Sequence, residues 1–156
     1  MKKTHLLLIA LASWALATAF TLPAGAIRPD SFKPLILEGA NADPTVLAIF
    51  ERSCQNCHSA NTQWPLYGKI YPITLLLAHD VREARSHVDL SSWPKYSDEH
   101  KRLMLSEIGV VVRNGSMPPK RYTLLHPDAK LSPAEADAVY QWTRTSRKLL
   151  KQEAGE

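Results

Sequence analysis

Cysteine is scarce in this 156-residue chain: Cys54 and Cys57 are the only two. No further Cys/His pair at finger spacing follows them, which removes the four converging ligands of a structural zinc site. Also missing is an apolar run of the roughly 20 residues that a bilayer span needs. The longest run, Leu6 to Phe20, is interrupted by Ser13 and Thr18 and stops short at Pro23. Nothing reads as a series of paired strands, and no internal repeat is visible. No Ser/His/Asp arrangement, phosphate-binding loop or carboxylate pair stands at useful spacing, so hydrolytic and phosphoryl-transfer chemistry find no support.

What the chain does have is Cys54-Gln55-Asn56-Cys57-His58. Two thiols three apart with a histidine directly behind them describe covalent haem attachment: each thiol adds across one vinyl group and the adjacent imidazole meets the iron. A thioredoxin-like redox pair would need a strand before the motif in a βαβ context, whereas residues 46–53 read as a helix. With both thiols used for haem no disulfide forms, and the macrocycle takes over the role of the missing staple. The expected cofactor is therefore one covalently bound haem c, held by Cys54, Cys57 and His58, and the apo chain is expected to be poorly structured.

The N-terminus reads as an export signal over residues 1–26. Lys2 and Lys3 form its positive region, Leu6 to Phe20 its apolar region, and Ala24-Gly25-Ala26 a small-residue cleavage site. Retention of this segment as an anchor is the alternative, and the expected location is periplasmic. Past residue 26 the chain carries 17 basic and 15 acidic side chains, from 19 − 2 and 15 − 0. Two haem propionates bring that balance near zero, so neither nucleic-acid nor membrane-surface binding follows from net charge.

Residues 27–42, with Pro29, Pro34 and Gly39, read as a linker or extended arm, and one domain is expected over 43–150. Asp43 as N-cap with Pro44 at the first helical position opens a helix whose Val46, Phe50 and Cys54 share a face. Residues 59–71 form a loop rich in aromatics: Trp64, Tyr67 and Tyr71. A helix follows from Pro72 to about Ser86, with Ile73, Leu77, Val81 and Ala84 on one side. Ser97 or Asp98 opens the next, striped by Met104, Ile108, Val111 and Val112 and stopped at Asn114-Gly115. Ser132-Pro133-Ala134-Glu135 is a capping box heading a last helix with Ala136, Val139 and Tyr140 inward. The fold class is all-α: a compact cytochrome c-like helical domain with long loops around the attached haem.

The sixth iron position decides what such a protein does. Met117, between a helix stop and two prolines, is the favoured ligand because a stiff non-helical loop can hold its thioether inward. Met104, on its helix stripe, reads as core. His79 projects away from the apolar face of its helix, His87 and His100 read as solvated, and His126 beside Pro127 is an outside candidate. An open or water-filled position is the remaining option. For His58, a backbone carbonyl of the following loop, near Pro65 or Pro72, is the expected partner of the second ring nitrogen.

The order of Cys-x-x-Cys-His, the Met-Pro loop of Ser116 to Pro118 and the Leu131 to Glu135 helix start resembles class I cytochromes c. More closely, Cys54 to Ser59, Thr62-Gln63-Trp64-Pro65, Ala78-His79-Asp80-Val81-Arg82, Ser92-Trp93, Met117-Pro118-Pro119 with Tyr122, and His126-Pro127 resemble the bacterial haem-binding domain family over residues 43–145. The resemblance implies a helical c-type haem domain with Cys54 and Cys57 as attachment sites, His58 proximal and Met117 aligned with the usual distal methionine. It implies no substrate. The expected function is single-electron transfer with redox partner proteins docking transiently, Tyr67, Tyr71 and Pro118-Pro119 forming the rim. The alternative is a small-ligand sensor or peroxidase-like enzyme with a displaceable sixth ligand, in which His79 or His126 serves as distal acid/base.

Overall fold

Asp43 opens the first helix as expected. Its carboxylate accepts from the backbone N–H groups of Thr45 and Val46 at 2.9 and 3.0 Å. Helix α1 then runs over Pro44–Ser53 and buries Val46, Ile49, Phe50 and Ser53. The computed structural model describes residues 35–155, all belonging to one compact unit. The expected leader and the part of the 27–42 arm before Leu35 lie outside the described residues. The described part of that arm packs inward through Ile36, Leu37 and Ala40, and the Leu37 N–H donates to the Leu90 carbonyl at 3.0 Å.

At Cys54 the backbone leaves helical geometry, with φ −122° and ψ −38°, and the short helix α2 follows over Gln55–His58. Helix α3 spans Ile73–His87, α4 Asp98–Arg113, α5 Lys120–Leu125 and α6 Pro133–Glu153. Short 3₁₀ segments, Leu66–Lys69, Leu90–Lys95 and Pro127–Ala129, join them. The described residues contain no strand, so the fold is all-α as expected. None of these helices is long and apolar enough to cross a membrane.

Helices α4 and α6 pack antiparallel. Gly109 faces Tyr140 and Thr143, and four residues further along α4 the Arg113 guanidinium lies over the Tyr140 ring at 4.3 Å. Their shared core holds Met104, Leu105, Ile108, Val112, Val139 and Trp142, and Phe50 of α1 meets Trp142 edge-on at 5.4 Å. Both N-termini follow the sequence. Ser97 Oγ accepts from the His100 N–H, and in the capping box Ser132 Oγ accepts from the Glu135 N–H while Glu135 Oε2 accepts from the Ser132 N–H at 2.8 Å.

Two elements differ from the sequence reading. The stretch 116–131, read as loop, contains helix α5, whose six residues bury none of their side chains and so leave no apolar period. Between α3 and α4, Leu90 and Trp93 sit three apart in a 3₁₀ turn and are almost fully buried, a three-residue period that neither helix nor strand templates detect. Helix α3 is also less buried than its stripe implies. Only Val81 is enclosed, because the stripe faces a cleft rather than the packed core.

The α4–α6 contact has little room. A Cβ at Gly109 would stand 2.7 Å from Thr143 Oγ1, and that hydroxyl is held by the Tyr140 carbonyl at 2.7 Å. In Gly109→Ala, overpacking of about 1–3 kcal/mol exceeds the roughly 1 kcal/mol gain in helix propensity. A net loss of about 1 kcal/mol in urea unfolding is expected.

Glu135 also pairs with Arg52 of α1 at 2.8 Å. Bonding to Arg52 first, and to the Ser132 backbone second, holds its carboxyl at about 2. A depressed carboxyl contributes its stability above the unfolded-state value and loses it as pH falls toward about 2. Glu135→Gln should cost about 1 kcal/mol at neutral pH, since the pair is largely solvated. The difference in melting temperature from wild type should fade through that acidic window.

Candidate functional site

A cleft of about 360 Å³ opens beside the α1–α2 break. Every helix except α6 contributes to its walls. Phe50, Cys54, Cys57 and His58 come from the motif side, Leu77, Val81 and Ala84 from α3, Ile108, Val111 and Val112 from α4, and Met117 to Pro119 with Tyr122 from the segment leading into and through α5. The sequence-predicted set of Cys54, Cys57, His58 and Met117 is thus brought to one cavity.

The two thiols are unbridged. Burial, then the neighbouring Cys57, pushes the Cys54 thiol up to about 12, and burial followed by Asp80 raises that of Cys57. His58 is shifted the other way: burial lowers its pKa, so the ring is neutral near pH 7. Its Nδ1 lies 3.1 Å from the Val88 carbonyl. A carbonyl only accepts, so Nδ1 carries the proton and Nε2 keeps the lone pair that a metal needs. The carbonyl belongs to the end of α3, not to the loop near Pro65 or Pro72, because the chain has to complete the whole of α3 before it returns to the motif.

Asn56, between the cysteines, ties three segments together. Its side-chain amide donates to Tyr122 Oη at 3.1 Å, its Oδ1 accepts from the Gln63 N–H at 3.1 Å, and its carbonyl accepts from Thr62 Oγ1 at 2.7 Å. Thr62 in turn accepts from Arg85 of α3 at 2.9 Å. The aromatic-rich loop of residues 59–71 is therefore pinned at its start by the motif it follows.

Met117 sits just past the α4 stop, where Gly115 has φ +73° and the Met117 N–H donates to the Val111 carbonyl at 3.0 Å. Its side chain reaches the cleft yet remains 38% exposed. Met104 is buried in the core, as read.

Among the histidines, His79 is exposed and does not line the cleft, and His100 stacks on Tyr96 at 4.9 Å outside it. His126 does line it. Its Nε2 shares a 2.6 Å hydrogen bond with Tyr67 Oη, and its ring stacks on Tyr122 at 4.5 Å. Sequence reasoning underrated His87, which lies at the cleft margin between Glu83 at 3.6 Å and Glu107 at 3.8 Å. Only the tertiary fold, invisible in the sequence, brings Glu107 of α4 to it. Tyr67 lines the cleft while Tyr71 points outward, 69% exposed.

Does this cleft suit a porphyrin? Its walls are mainly aliphatic and aromatic, and burial biases each shifted group there toward its neutral form: the two thiols, the imidazole of His58 and the phenols of Tyr67 and Tyr122. Asp80, at the margin, is neutralised by Arg121 at 3.1 Å. A flat apolar macrocycle there packs on these walls while the Glu83 and Glu107 carboxylates, more than half exposed, stay in water at the margin, and neutral His58 Nε2 is a competent iron ligand. The residues fit the group. No curated protein and no solved structure matches this chain. The family model described as a haem-binding domain matches residues 20–145, and the chain belongs to that family.

Proposed function

We propose that this protein is an exported, periplasmic c-type cytochrome that carries single electrons. In this reading, Cys54 and Cys57 bond one haem c through thioethers and His58 and Met117 ligate its iron. The observation that carries the proposal is the meeting of all four side chains at one apolar cleft. The bound haem supplies a one-electron iron couple.

The chain's own contribution is to hold the ligands still and keep water away. The Val88 carbonyl fixes the His58 ring and its tautomer, so the imidazole need not reorient when the charge changes. The aliphatic walls from α3 and α4 exclude water, and a thioether ligand favours the reduced state relative to a second imidazole. The partly exposed Met117–Pro119 segment and Tyr67 form an edge at which a redox partner docks weakly.

One observation favours a second reading, in which the sixth position binds a small ligand such as a peroxide, oxygen or nitric oxide. The Tyr67–His126 pair lies in the same cleft and would serve as a distal hydrogen-bonding group.

Covalent attachment is tested by replacing both cysteines: Cys54→Ser/Cys57→Ser should leave haem extractable by acid acetone, whereas wild type keeps it and weighs one haem more after denaturation. Unchanged retention in the variant overturns the thioether assignment. For the sixth ligand, the oxidised wild type should be low-spin with the charge-transfer band of methionine-bound iron, and Met117→Ala should abolish that band. A high-spin wild type would instead support ligand binding.

A further inference from the structure

The formal net charge of +4 is distributed unevenly. On the outer side of the α4–α6 pair lies a second groove, lined by Arg102 and Leu103 of α4 and by Arg144, Arg147, Lys148 and Lys151 of α6. Glu99 is its one acidic lining residue. Positions 144, 147, 148 and 151 recur at helical spacing and form a stripe about 10 Å long. Among the described residues, no carboxylate lies within ion-pair distance of those four side chains. Leu103, 66% exposed, adds an apolar contact in the middle of the charge. The cleft margin has the opposite character, carrying Asp80, Glu83 and Glu107 against Arg121.

We propose that the α4–α6 groove docks the protein on an anionic phospholipid surface. Helix geometry separates this surface from the haem cleft. At 100° per residue, the α4 positions 99, 102, 103 and 106 centre on one side of the helix, and 108, 111 and 112, which line the cleft, centre about half a turn away. Electrons passing between a partner on the basic side and the cleft would have to cross a helix about 10 Å thick. The basic side is therefore placed to orient the molecule, leaving the cleft edge open to a redox partner. Long flexible cations around a protruding leucine match lipid phosphates over a shallow apolar layer, whereas an acidic protein surface gives Leu103 no such layer. The attraction acts over about a Debye length and weakens with salt.

The test is co-sedimentation of the exported, haem-loaded protein with vesicles of phosphatidylcholine alone or with phosphatidylglycerol added. Two variants are compared with wild type. One combines Arg144→Gln, Arg147→Gln, Lys148→Gln and Lys151→Gln; the control removes four exposed cations elsewhere, Lys69→Gln, Arg82→Gln, Lys95→Gln and Lys130→Gln. Wild type should prefer the anionic vesicles at least tenfold at low salt and lose the preference in about 0.5 M salt. The groove variant should lose it while keeping the wild-type haem spectrum, and the control should shift less than twofold. Equal binding to both vesicle types, or equal loss in both variants, overturns the proposal. Retention on immobilised polyglutamate with no vesicle preference also overturns it, in favour of an acidic protein partner. Because the readout is vesicle binding and not redox activity, it is independent of which sixth ligand the iron takes.

Discussion

The hydrogen bond from His58 Nδ1 to the Val88 carbonyl is the joint on which the rest of the molecule depends. It connects the haem motif to a six-residue segment, 88–93, that is also where the remaining parts of the structure converge. Within that segment Leu90 accepts from the Leu37 N–H, Ser91 Oγ accepts from the Ala60 N–H at 3.0 Å, and Asp89 accepts from the Ser91 N–H at 3.0 Å. Leu90 and Trp93 drive into the core shared by α1, α4 and α6. The imidazole is thus braced by a backbone group that packing immobilises, rather than by a surface loop. That is the condition under which a ligand keeps its geometry.

The apolar walls and the polar brace serve different ends. Helices α4 and α6 close over one another tightly enough that a Cβ at residue 109 would crowd Thr143, giving a firmly packed back plate. Helix α3, with Val81 alone enclosed, contributes a face that is incomplete without something packed on it. A fold of this size gains much from a large apolar guest, and the distribution of burial, dense around α4–α6 and sparse on α3, matches a domain built from one solid half and one half that borrows its core from the cofactor.

How much of this was legible in the sequence varies with the physics of each part. Local signals read well: Asp43, Ser97 and Ser132 cap the helices their residue types announce, and Asn114-Gly115 ends α4. Met117 was placed at the cleft by its position between a glycine stop and two prolines. Features that depend on tertiary return did not read. The carbonyl behind His58, the neighbourhood of Glu107 and His87, and the bond between Tyr67 and His126, 59 residues apart, have no local signature. Helix α5 and the Leu90–Lys95 turn escaped because one is too exposed and the other too tightly wound for the usual periodicities. The charge asymmetry of α4 and α6 was hidden by a total that averages it away.

The side chain at residue 56 has a meaning beyond spacing. In a Cys-x-x-Cys-His pattern the two inner positions look interchangeable, yet here the side chain of one of them reaches the loop at Gln63 and the hydroxyl of Tyr122, 66 positions downstream. A pentapeptide transplanted into another scaffold would carry the two thiols and the imidazole but leave the far wall unanchored. Compatibility between motif and host is then a question of which distant tyrosine the middle of the motif can find.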